Sequence, residues 1–283
     1  MMQSDSYFEF EDRFRGPRQE IKSRLSSYDG LINYILKNID NPKILDIGSG
    51  RGEWLEKCRE MGLESIGIEN NNQMIAFCED KGLKIIPGNA LETIEKFESE
   101  SFSIISAFHF IEHISYANIS KLLEECRRIL KPNGVLILET PSIDNLQVAS
   151  RTFYLDPTHI NPINPDTMIF ILEKSGFIKA KYYYINADNS DDFDENNITQ
   201  ILSGSGRDIC FIASKYESGN IDIFSAERSW SSTLRLSKST MEIASTYDHN
   251  YKDQALKLLS IEKQIEYITY RQDEIFNNII FRF

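Results

Sequence analysis

The stretch Leu45–Trp54, "LDIGSGRGEW", decides the fold class of this chain. The apolar run "KILDI", which overlaps its start, predicts a short strand, and "EWLEKCREMG" predicts a helix that stops at Gly62. Three glycines alternate between the two elements: Gly48, Gly50 and Gly52. Glycines in a strand-to-helix turn let the backbone approach a ligand closely, so we expect a nucleotide-type ligand at this turn.

The rest of the chain repeats the alternation of strand and helix. Six further strands are predicted at 64–70, 83–90, 101–110, 135–140, 177–185 and 208–214. Apolar residues at helical spacing predict further helices at 18–37, with a break at Gly30, and at 72–82, 119–130 and 166–176. This order predicts an α/β fold, a doubly wound, mostly parallel, Rossmann-like sheet of seven strands with helices on both faces.

The end of the chain follows a different pattern. Apolar residues recur there at alternating steps of three and four, interrupted by Gln272: Leu258, Ile261, Ile265, Ile268, Ile275 and Ile279. Such a seam predicts a C-terminal helical extension that pairs with a partner, most simply a second copy, or else packs back on the main domain. We therefore divide the chain into an N-terminal helical cap (1–40), an α/β domain (41–216) and a helical tail that is a coiled-coil candidate (217–283).

The composition disfavours some classes of function. The chain has 283 residues and a net charge of −12, which disfavours nonspecific binding to nucleic acid or to an anionic membrane. Its four cysteines form no CxxC pair, and neither a signal peptide nor a membrane-spanning run is visible, so we expect a cytoplasmic protein. The acidic stretch 186–197 lacks the glycine of a calcium loop and is interpreted as a solvated loop.

The sequence of the glycine turn does not match a dinucleotide-binding motif, but it resembles the motif of a known family. A dinucleotide fingerprint needs glycine at position 53, where this chain has Glu53. The pattern D-x-G-x-G-x-G at 46–52 instead resembles motif I of class I S-adenosylmethionine-dependent methyltransferases, and the resemblance covers roughly residues 10–215. It implies an enzyme whose cofactor is S-adenosylmethionine and whose methyltransferase domain is 41–216.

The resemblance also implies which residues bind the cofactor. Glu69, at the end of the second strand, would accept hydrogen bonds from the ribose, Met74 would pack on adenine, and Phe108 would lie beside the sulfonium. Apart from the resemblance, one of three N-terminal arginines (Arg13, Arg15, Arg18) could pair with the cofactor carboxylate or with a substrate phosphate, or the cluster could be a solvated helix start; we assign Arg18 to the cofactor. The expected set is Asp46, Gly48, Ser49, Gly50, Glu69, Asn70, Met74, Asn89, Ala90, Leu91, Phe108 and Arg18.

Three further stretches narrow the resemblance: "FEDRFRGPRQEIKSRL" (8–25), "ETPSIDNL" (139–146) and "FYLDPTHINPINP" (153–165). Together they resemble bacterial methyltransferases associated with O-antigen or capsular polysaccharide, often found beside or fused to glycosyltransferases. This implies methylation of a sugar hydroxyl on a glycan or lipid-linked oligosaccharide, which in some relatives stops chain growth. A glycosyltransferase partner, a homo-oligomer formed through the C-terminal helix, and a position at the inner membrane through that partner are also implied.

Titratable residues follow the fourth predicted strand in "HFIEH" (109–113) and occur again in "YLDPTH" (154–159). Both segments follow strands whose carboxyl ends meet at one sheet edge, so we expect them to share a crevice. His159, His113 and Asp156 are the catalytic candidates, because a hydroxyl nucleophile needs help in losing its proton. Either a histidine acts as general base, or a divalent metal (Mn, Zn or Mg) lowers the pKa of the hydroxyl, or the residues are purely structural. The expected metal ligands are His109, Glu112, His113 and His159.

The alternatives to a glycan O-methyltransferase stay open at this stage. One is a small-molecule or RNA-terminal ribose O-methyltransferase, since ubiquinone-biosynthesis and small-RNA methyltransferases have a similar motif after the fourth strand. These families have an acid where this chain has His109. The other is a scaffold that binds the cofactor and serves as the oligomerising partner of a glycosyltransferase. Alanine at His159 would distinguish an enzyme from a scaffold.

Overall fold

The seven predicted strands form one mixed sheet. A computed structural model describes residues 4–187, 197–215 and 222–280. The strands are β1 (Lys43–Ile47), β2 (Glu64–Glu69), β3 (Ile85–Pro87), β4 (Phe102–Phe108), β5 (Leu130–Pro141), β6 (Lys179–Ile185) and β7 (Asp208–Ser214). Their order is β3-β2-β1-β4-β5-β7-β6, and only the pairs that involve β7 are antiparallel. The prediction of a mostly parallel, seven-stranded, Rossmann-like sheet is confirmed.

Helices cover both faces of this sheet. They are α1 (Ser4–Phe14), α2 (Arg18–Leu25), α3 (Asp29–Asn38), α4 (Glu53–Glu60), α5 (Asn72–Asp80), α6 (Ala90–Ile94), α7 (Tyr116–Ile129), α8 (Pro165–Lys174), α9 (Ile198–Ser203), α10 (Glu227–Trp230) and α11 (Thr240–Ile280). Side chains of Asn71, Asn89, Ser115 and Asn164 accept hydrogen bonds from the first backbone amides of α5, α6, α7 and α8, which fixes where these helices begin.

Two hydrophobic cores sandwich the sheet. On one face α6, α7 and α8 pack against alternate residues of the central strands, and on the other face α2, α3, α4 and the α10 region do so. Every residue of β4 is buried, so the strand is apolar along nearly its whole length instead of alternating. The two cores hold the carboxyl ends of β1, β4 and β5 rigidly at one edge.

The N-terminal helices differ in detail from the sequence expectation. The break in 18–37 is a 3-10 turn at Ser26–Tyr28, and Gly30 lies inside α3 instead of interrupting it. A Cβ on Gly30 would lie 2.2 Å from the carbonyl oxygen of Trp230, so glycine serves close packing there. Helix α1 lies within the predicted N-terminal helical cap (1–40), but it was not assigned as a separate helix, although Tyr7, Phe10 and Phe14 recur at helical spacing.

The segment after β7 has two structurally different parts. Residues 222–239, which we had assigned to the tail, pack on the sheet, and Ile223, Trp230 and Leu234 are buried there. The 41-residue helix α11 then begins with Ile243 buried, but the apolar residues of the seam are more than half exposed: Leu258, Ile261, Ile265, Ile268 and Ile275. Within the described part of α11 the seam therefore does not pack back on the domain.

Two other expectations concern the acidic stretch and the presence of membrane-spanning segments. Most of the acidic stretch 186–197, namely 188–196, lies outside the described residues. Among the residues that the structure describes, no helix combines the length and the apolar character needed to cross a membrane.

Candidate active site

A cavity of about 600 Å³ opens at the carboxyl ends of β4 and β5. Its walls come from α1 and α2, from the ends of β4 and β5, from the loop between β5 and α8 (the β5–α8 loop, 142–164), and from the β6 and β7 ends. We call it the central cavity. Ligands of such sheets bind at this edge, since the loops that follow the strands converge there.

The glycine turn lies beside the cavity, and hydrogen bonds of buried side chains stabilise it. Asp46 is 2% exposed and accepts a hydrogen bond from Ser106 Oγ on β4 at 2.7 Å, while Ser49 Oγ donates to the Asp46 carbonyl oxygen. Burial raises the pKa of the Asp46 carboxyl to about 7, although the Ser106 hydrogen bond and the Arg15 charge oppose the rise. The carboxyl therefore titrates near neutral pH.

The remaining residues expected at the cofactor lie along the same edge. Glu69 ends β2, where its carboxylate accepts hydrogen bonds from the backbone amide of Gly50 at 2.8 Å and from that of Asn70 at 2.9 Å. Asn89 Oδ1 caps α6 by accepting from the Leu91 amide, so this oxygen has a structural partner. Met74 on α5, Ala90 on α6 and Phe108 at the end of β4 are buried.

The three N-terminal arginines have different environments. The Arg18 guanidinium donates to the Arg51 carbonyl and pairs with Glu56 at 2.9 Å. Arg13 is exposed. Arg15 lines the central cavity, and its Nη1 lies 3.5 Å from the Cβ that a side chain at Gly50 would have. Both Arg15 and Arg18 therefore reach the glycine turn, but of the two only Arg15 also lines the central cavity.

Helix α1 covers the site in a way that the sequence did not indicate. Its residue Asp12 pairs with the buried Arg51 of the glycine turn at 2.9 Å, and Tyr7 donates its hydroxyl proton to Asp156 Oδ2 at 3.0 Å. One end of α1 thus contacts the β5–α8 loop, and its other end contacts the glycine turn.

His109 is held as an imidazolium. Its Nδ1 lies 3.4 Å from Glu112, and its Nε2 lies 3.5 Å from Glu139 and 3.6 Å from Asp208. A neutral imidazole has a single N–H, so both nitrogens face carboxylates favourably only when the ring is protonated. Burial lowers its pKa, but the charge of Asp208 and the contacts with Glu112 and Glu139 outweigh it and raise the pKa to about 10.

This geometry changes the role expected for His109. The ligand atoms of Glu112, His113 and His159 converge without His109, whose ring also faces Glu139 and Asp208. Its backbone has φ +52°, a left-handed conformation that is uncommon outside glycine. The residue sits at the sharp turn between β4 and "FIEH", where its charge balances three buried carboxylates.

His159 and His113 are arranged differently, because each uses its Nδ1 in a hydrogen bond to the β5–α8 loop. His159 Nδ1 lies 2.6 Å from the Phe153 carbonyl oxygen, which can only accept, so Nδ1 carries the proton and Nε2 is bare. Thr158 Oγ1 donates to Asp156 Oδ1 at 2.6 Å, and His113 Nδ1 lies 2.9 Å from that hydroxyl and therefore donates to it. Burial lowers the pKa of His159, which favours the neutral base.

The fully buried Glu112 lies between these histidines. Thr140 Oγ1 donates to its Oε2 at 2.9 Å, whereas Oε1 has no hydrogen-bond partner among the described residues. His109 Nδ1 at 3.4 Å and His159 Nε2 at 3.9 Å are near Oε1 without hydrogen-bond geometry. Burial raises the pKa of Glu112, but the contact with His109 outweighs it and lowers the pKa to about 2.

Two sets of candidate metal-ligating atoms occur among the described residues. Ligand atoms of Glu112, His113 and His159 lie within 4.8 Å of one another, and so do those of His109, Glu139 and Asp208. In the second set the His109 proton already occupies the space between the carboxylates, and Tyr28 donates to Glu139. Only the first set offers free lone pairs.

Several residues of the site escaped the sequence analysis. Glu139 precedes Thr140 at the end of β5, and its position at a strand end was a usable signal. Asp208 begins an antiparallel strand, and Tyr7 lies on α1, which was not assigned as a separate helix, so nothing in their local pattern placed them at this edge. Thr158 stood inside "YLDPTH" but became meaningful only through its contact with His113.

Comparison with known proteins agrees with this geometry. The family model described as a methyltransferase domain matches residues 19–180, more than half of the chain. A solved S-adenosylmethionine-dependent methyltransferase from Archaeoglobus fulgidus is 31% identical, with a TM-score of 0.63, over 74% of this chain and 99% of its own. A phosphoethanolamine N-methyltransferase 2 from Haemonchus contortus, solved with S-adenosylmethionine, shares only the fold at 19% identity and TM-score 0.51, over 77% of this chain and 61% of its own.

Curated relatives match over a shorter region. A ubiquinone biosynthesis O-methyltransferase from Bradyrhizobium diazoefficiens is 30% identical over 101 residues, which is 35% of this chain and 39% of the relative. The human mitochondrial ubiquinone biosynthesis O-methyltransferase is 27% identical over 152 residues, 47% of this chain and 41% of the relative. The chain thus spans about two fifths of these relatives' length. With its family model, its solved relative and its sheet order taken together, the chain belongs to the S-adenosylmethionine-dependent methyltransferases.

Proposed function

We propose that this protein transfers a methyl group from S-adenosylmethionine to a hydroxyl of a sugar in a bacterial surface glycan. The assignment as an O-methyltransferase rests on the burial and hydrogen bonding of the His159 ring. Its ring is nearly buried, its Nδ1 proton is fixed by a backbone carbonyl, and its bare Nε2 lies 3.9 Å from the buried Glu112. Such a residue is suited to take the proton of a hydroxyl group.

The residues expected for the cofactor fit it in this structure. We assign the turn residues Asp46, Gly48, Ser49 and Gly50, with Glu69 and Asn70 for the ribose, and Met74, Asn89, Ala90, Leu91 and Phe108 around the remaining parts. Glu69 Oε1 accepts from the Asn70 and Asn71 amides, whereas Oε2 accepts from the Gly50 amide and keeps a second lone pair for a ribose hydroxyl. When bound, the cofactor supplies an electrophilic methyl group.

We assign the cofactor carboxylate to Arg15 in place of Arg18. The Arg15 guanidinium lies beside Gly50, where a ligand on the glycine turn would pass, and its acidic neighbour is Glu11 at 3.4 Å. Arg18 instead satisfies Glu53 and Glu56 on α4. Replacing those contacts by one cofactor carboxylate would take one cation from each glutamate and leave Arg51 beside Glu53 and Lys22 beside Glu56.

In the proposed mechanism His159 Nε2 would take the hydroxyl proton, which makes the oxygen nucleophilic toward the methyl group of a cofactor held at the glycine turn, with the demethylated cofactor as leaving group. The imidazolium that forms is stabilised by Glu112, whose charge is maintained by its low pKa, and by Asp156 at 3.9 Å. His113 orients the β5–α8 loop through Thr158. In-line placement of acceptor and methyl group provides the rest of the rate enhancement.

A divalent metal is the second device that the site could use. Glu112, His113 and His159 fit one, because they offer one carboxylate and two imidazole rings, and Glu112 Oε1 lacks a hydrogen-bond partner among the described residues. A metal there would lower the pKa of a bound hydroxyl. The mixed nitrogen and oxygen set favours Mn or Zn over Mg.

The sugar acceptor is supported by the three stretches that resemble polysaccharide-associated methyltransferases and by the mixed lining of the cavity. Aromatic rings from α1 (Tyr7, Phe10, Phe14) face a cavity that also contains carboxylates, amides and guanidinium groups. A second candidate is a phenolic small molecule, because the curated relatives are named ubiquinone biosynthesis O-methyltransferases. RNA is disfavoured by the net charge of −12.

We also propose that the exposed seam of α11 pairs with further copies of the chain. In its heptad register Leu258 and Ile265 occupy a positions, and Ile261, Ile268 and Ile275 occupy d positions. Isoleucine at d favours three or four parallel strands over two. A glycosyltransferase that binds this assembly, and thereby brings it to the inner membrane, is the corresponding partner proposal, and a purely scaffolding role is the competing one.

The test of the function is methyl transfer from labelled cofactor to a panel of synthetic oligosaccharides and to catechol-type phenols. We expect label on a sugar hydroxyl, with the position identified by NMR, and little on phenols. The His159→Ala variant should lose transfer and keep cofactor binding. Preferential labelling of phenols would replace the glycan proposal, and full activity in His159→Ala would refute the assigned base.

A further inference from the structure

Three arginines from distant parts of the sequence line the central cavity. Arg24 lies on α2, Arg207 directly before β7, and Arg235 in the segment before α11. We call them the basic wall. The function proposed above uses none of them.

Hydrogen bonds link the three segments that carry the basic wall. Arg235 Nη2 donates to Ser23 Oγ at 2.9 Å, and Ser23 is the chain neighbour of Arg24. The Arg235 carbonyl oxygen accepts from the Asn186 amide at 3.3 Å, and Asn186 Nδ2 donates to Asp208 Oδ2 at 2.9 Å, next to Arg207. Three separate elements therefore bring their arginines to the same mouth of the cavity.

The basic wall is positively charged, whereas the whole chain has a net negative charge. The chain has 43 acidic and 31 basic residues, so a cluster of three guanidinium groups on one cavity is not what its composition favours. Five carboxylates also line the cavity (Glu11, Glu20, Glu139, Asp156 and Asp208), and two of them lie at the wall: Glu20 contacts Arg24 through one nitrogen at 2.6 Å, and Asp208, which also feels the charge of Arg24, faces His109. A guanidinium has five N–H donors, so Arg24 and Arg235 keep donors beyond the contacts that Glu20 and Ser23 take.

A series of neighbouring side chains runs from the proposed base, His159, to the basic wall. His159 contacts Glu112 at 3.9 Å, Glu112 contacts His109 at 3.4 Å, and His109 contacts Asp208 at 3.6 Å, beside Arg207. A ligand that reaches from one end of this line to the other passes under the aromatic residues of α1. A sugar ring can stack on such aromatic faces.

Resting on the proposed function, we propose that the acceptor is a phosphorylated sugar, with its phosphate or diphosphate bound by Arg24, Arg207 and Arg235 and its hydroxyl at His159. Guanidinium groups bind phosphate oxygens in a bidentate manner, and charge-assisted hydrogen bonds are stronger than neutral ones. The phosphate class has two sources, a nucleoside diphosphate sugar or a lipid diphosphate-linked sugar. Both present the same group to the wall.

The activity test compares one acceptor sugar in four forms: free, as its 1-phosphate, as its nucleoside diphosphate and as its polyprenyl diphosphate. We expect kcat/KM to be roughly ten- to a hundred-fold higher for phosphorylated forms, from one or two charge-assisted hydrogen bonds. The Arg24→Ala/Arg235→Ala variant should reduce that preference toward one, whereas Arg228→Ala, an exposed arginine outside the cavity, should keep it. The form with the highest kcat/KM identifies the source.

A binding test makes the inference independent of turnover. Calorimetry with inorganic pyrophosphate on the full chain should show binding that weakens with added salt and is lost in Arg24→Ala/Arg235→Ala. The exposed single variant Arg235→Gln, checked for folding by circular dichroism, gives an intermediate affinity if the double variant is unstable. Pyrophosphate that binds wild type and folded variants equally, or not at all, overturns the inference.

The two proposals fail differently. If no acceptor is methylated while pyrophosphate binding still depends on Arg24 and Arg235, the proposed function fails and the phosphate site stands. If free and phosphorylated sugars are methylated equally well, the function stands and the phosphate site is refuted.

Discussion

The protonated His109 gives a prediction whose size follows from the structure. We expect His109→Asn to destabilise the fold, because it leaves Glu112, Glu139 and Asp208 buried without their shared cation. Asparagine tolerates the left-handed backbone of this position, so the change removes charge without adding strain at φ +52°. Removing one partner of a buried ion pair costs about 3–5 kcal/mol. Since the His109 side chain is 29% exposed, we expect the lower end, about 3 kcal/mol.

The pH dependence of this effect has a definite sign. The pKa of His109 is raised from about 6.5 in the unfolded chain to about 10 in the fold. The native state therefore binds the proton more tightly, and the stabilisation is fully present below about pH 6.5 and is lost as the pH rises toward 10. The difference between wild type and variant should be largest at pH 6 and shrink steadily up to pH 10.

The assay is thermal unfolding of both proteins from pH 6 to 10, with His249→Gln as the control. His249 is 77% exposed on α11, so its loss should change nothing. For a chain of this size about 3 kcal/mol corresponds to a drop in Tm of roughly 6–12 °C. An unchanged Tm in His109→Asn, or a drop that does not vary with pH, would refute the imidazolium. NMR offers a direct check, since the ring should not titrate below pH 9.

Four further predictions concern the site and the tail. Gly50→Val should abolish cofactor binding in calorimetry, whereas Gly62→Val, which has a similar positive φ but open space around it, should keep it; equal losses would point to backbone strain alone. Because the pKa of buried Asp46 is about 7 and a cationic cofactor favours the carboxylate, binding should release a proton and weaken below pH 7, visible as a buffer-dependent enthalpy. Activity that is lost in EDTA and restored by Mn or Zn would indicate the metal, while activity that survives EDTA but not His159→Ala would leave the general base alone. Deleting 247–283 should convert an oligomer to a monomer in light scattering, and a monomer before and after would contradict the seam proposal.

The fold could be predicted because its signals are local. The parallel strands β1 to β4 are short, mostly apolar and followed by a glycine, a polar residue or a histidine, and the apolar end of the longer β5 shows the same pattern, because both sheet faces are buried. The way helix α1 covers the site and the position of the break near Gly30 could not be predicted, since both depend on packing against distant segments. Gly30 is glycine because of the Trp230 carbonyl, a contact between residues that are far apart in the chain.

The chemical states of the site residues could not be predicted from the motifs. The sequence alone determined that the chain forms a Rossmann-like sheet with a glycine turn at Asp46, and that "HFIEH" and "YLDPTH" follow strands that end at one edge. It could not distinguish His109 from His159, because both are histidines next to acids in similar segments. Tertiary structure decided this, by placing three carboxylates around one ring and a backbone carbonyl with a buried carboxylate around the other. The physical reason is that a pKa depends on the charges and hydrogen-bond donors within a few ångströms, and at this site most of those belong to other elements of the chain.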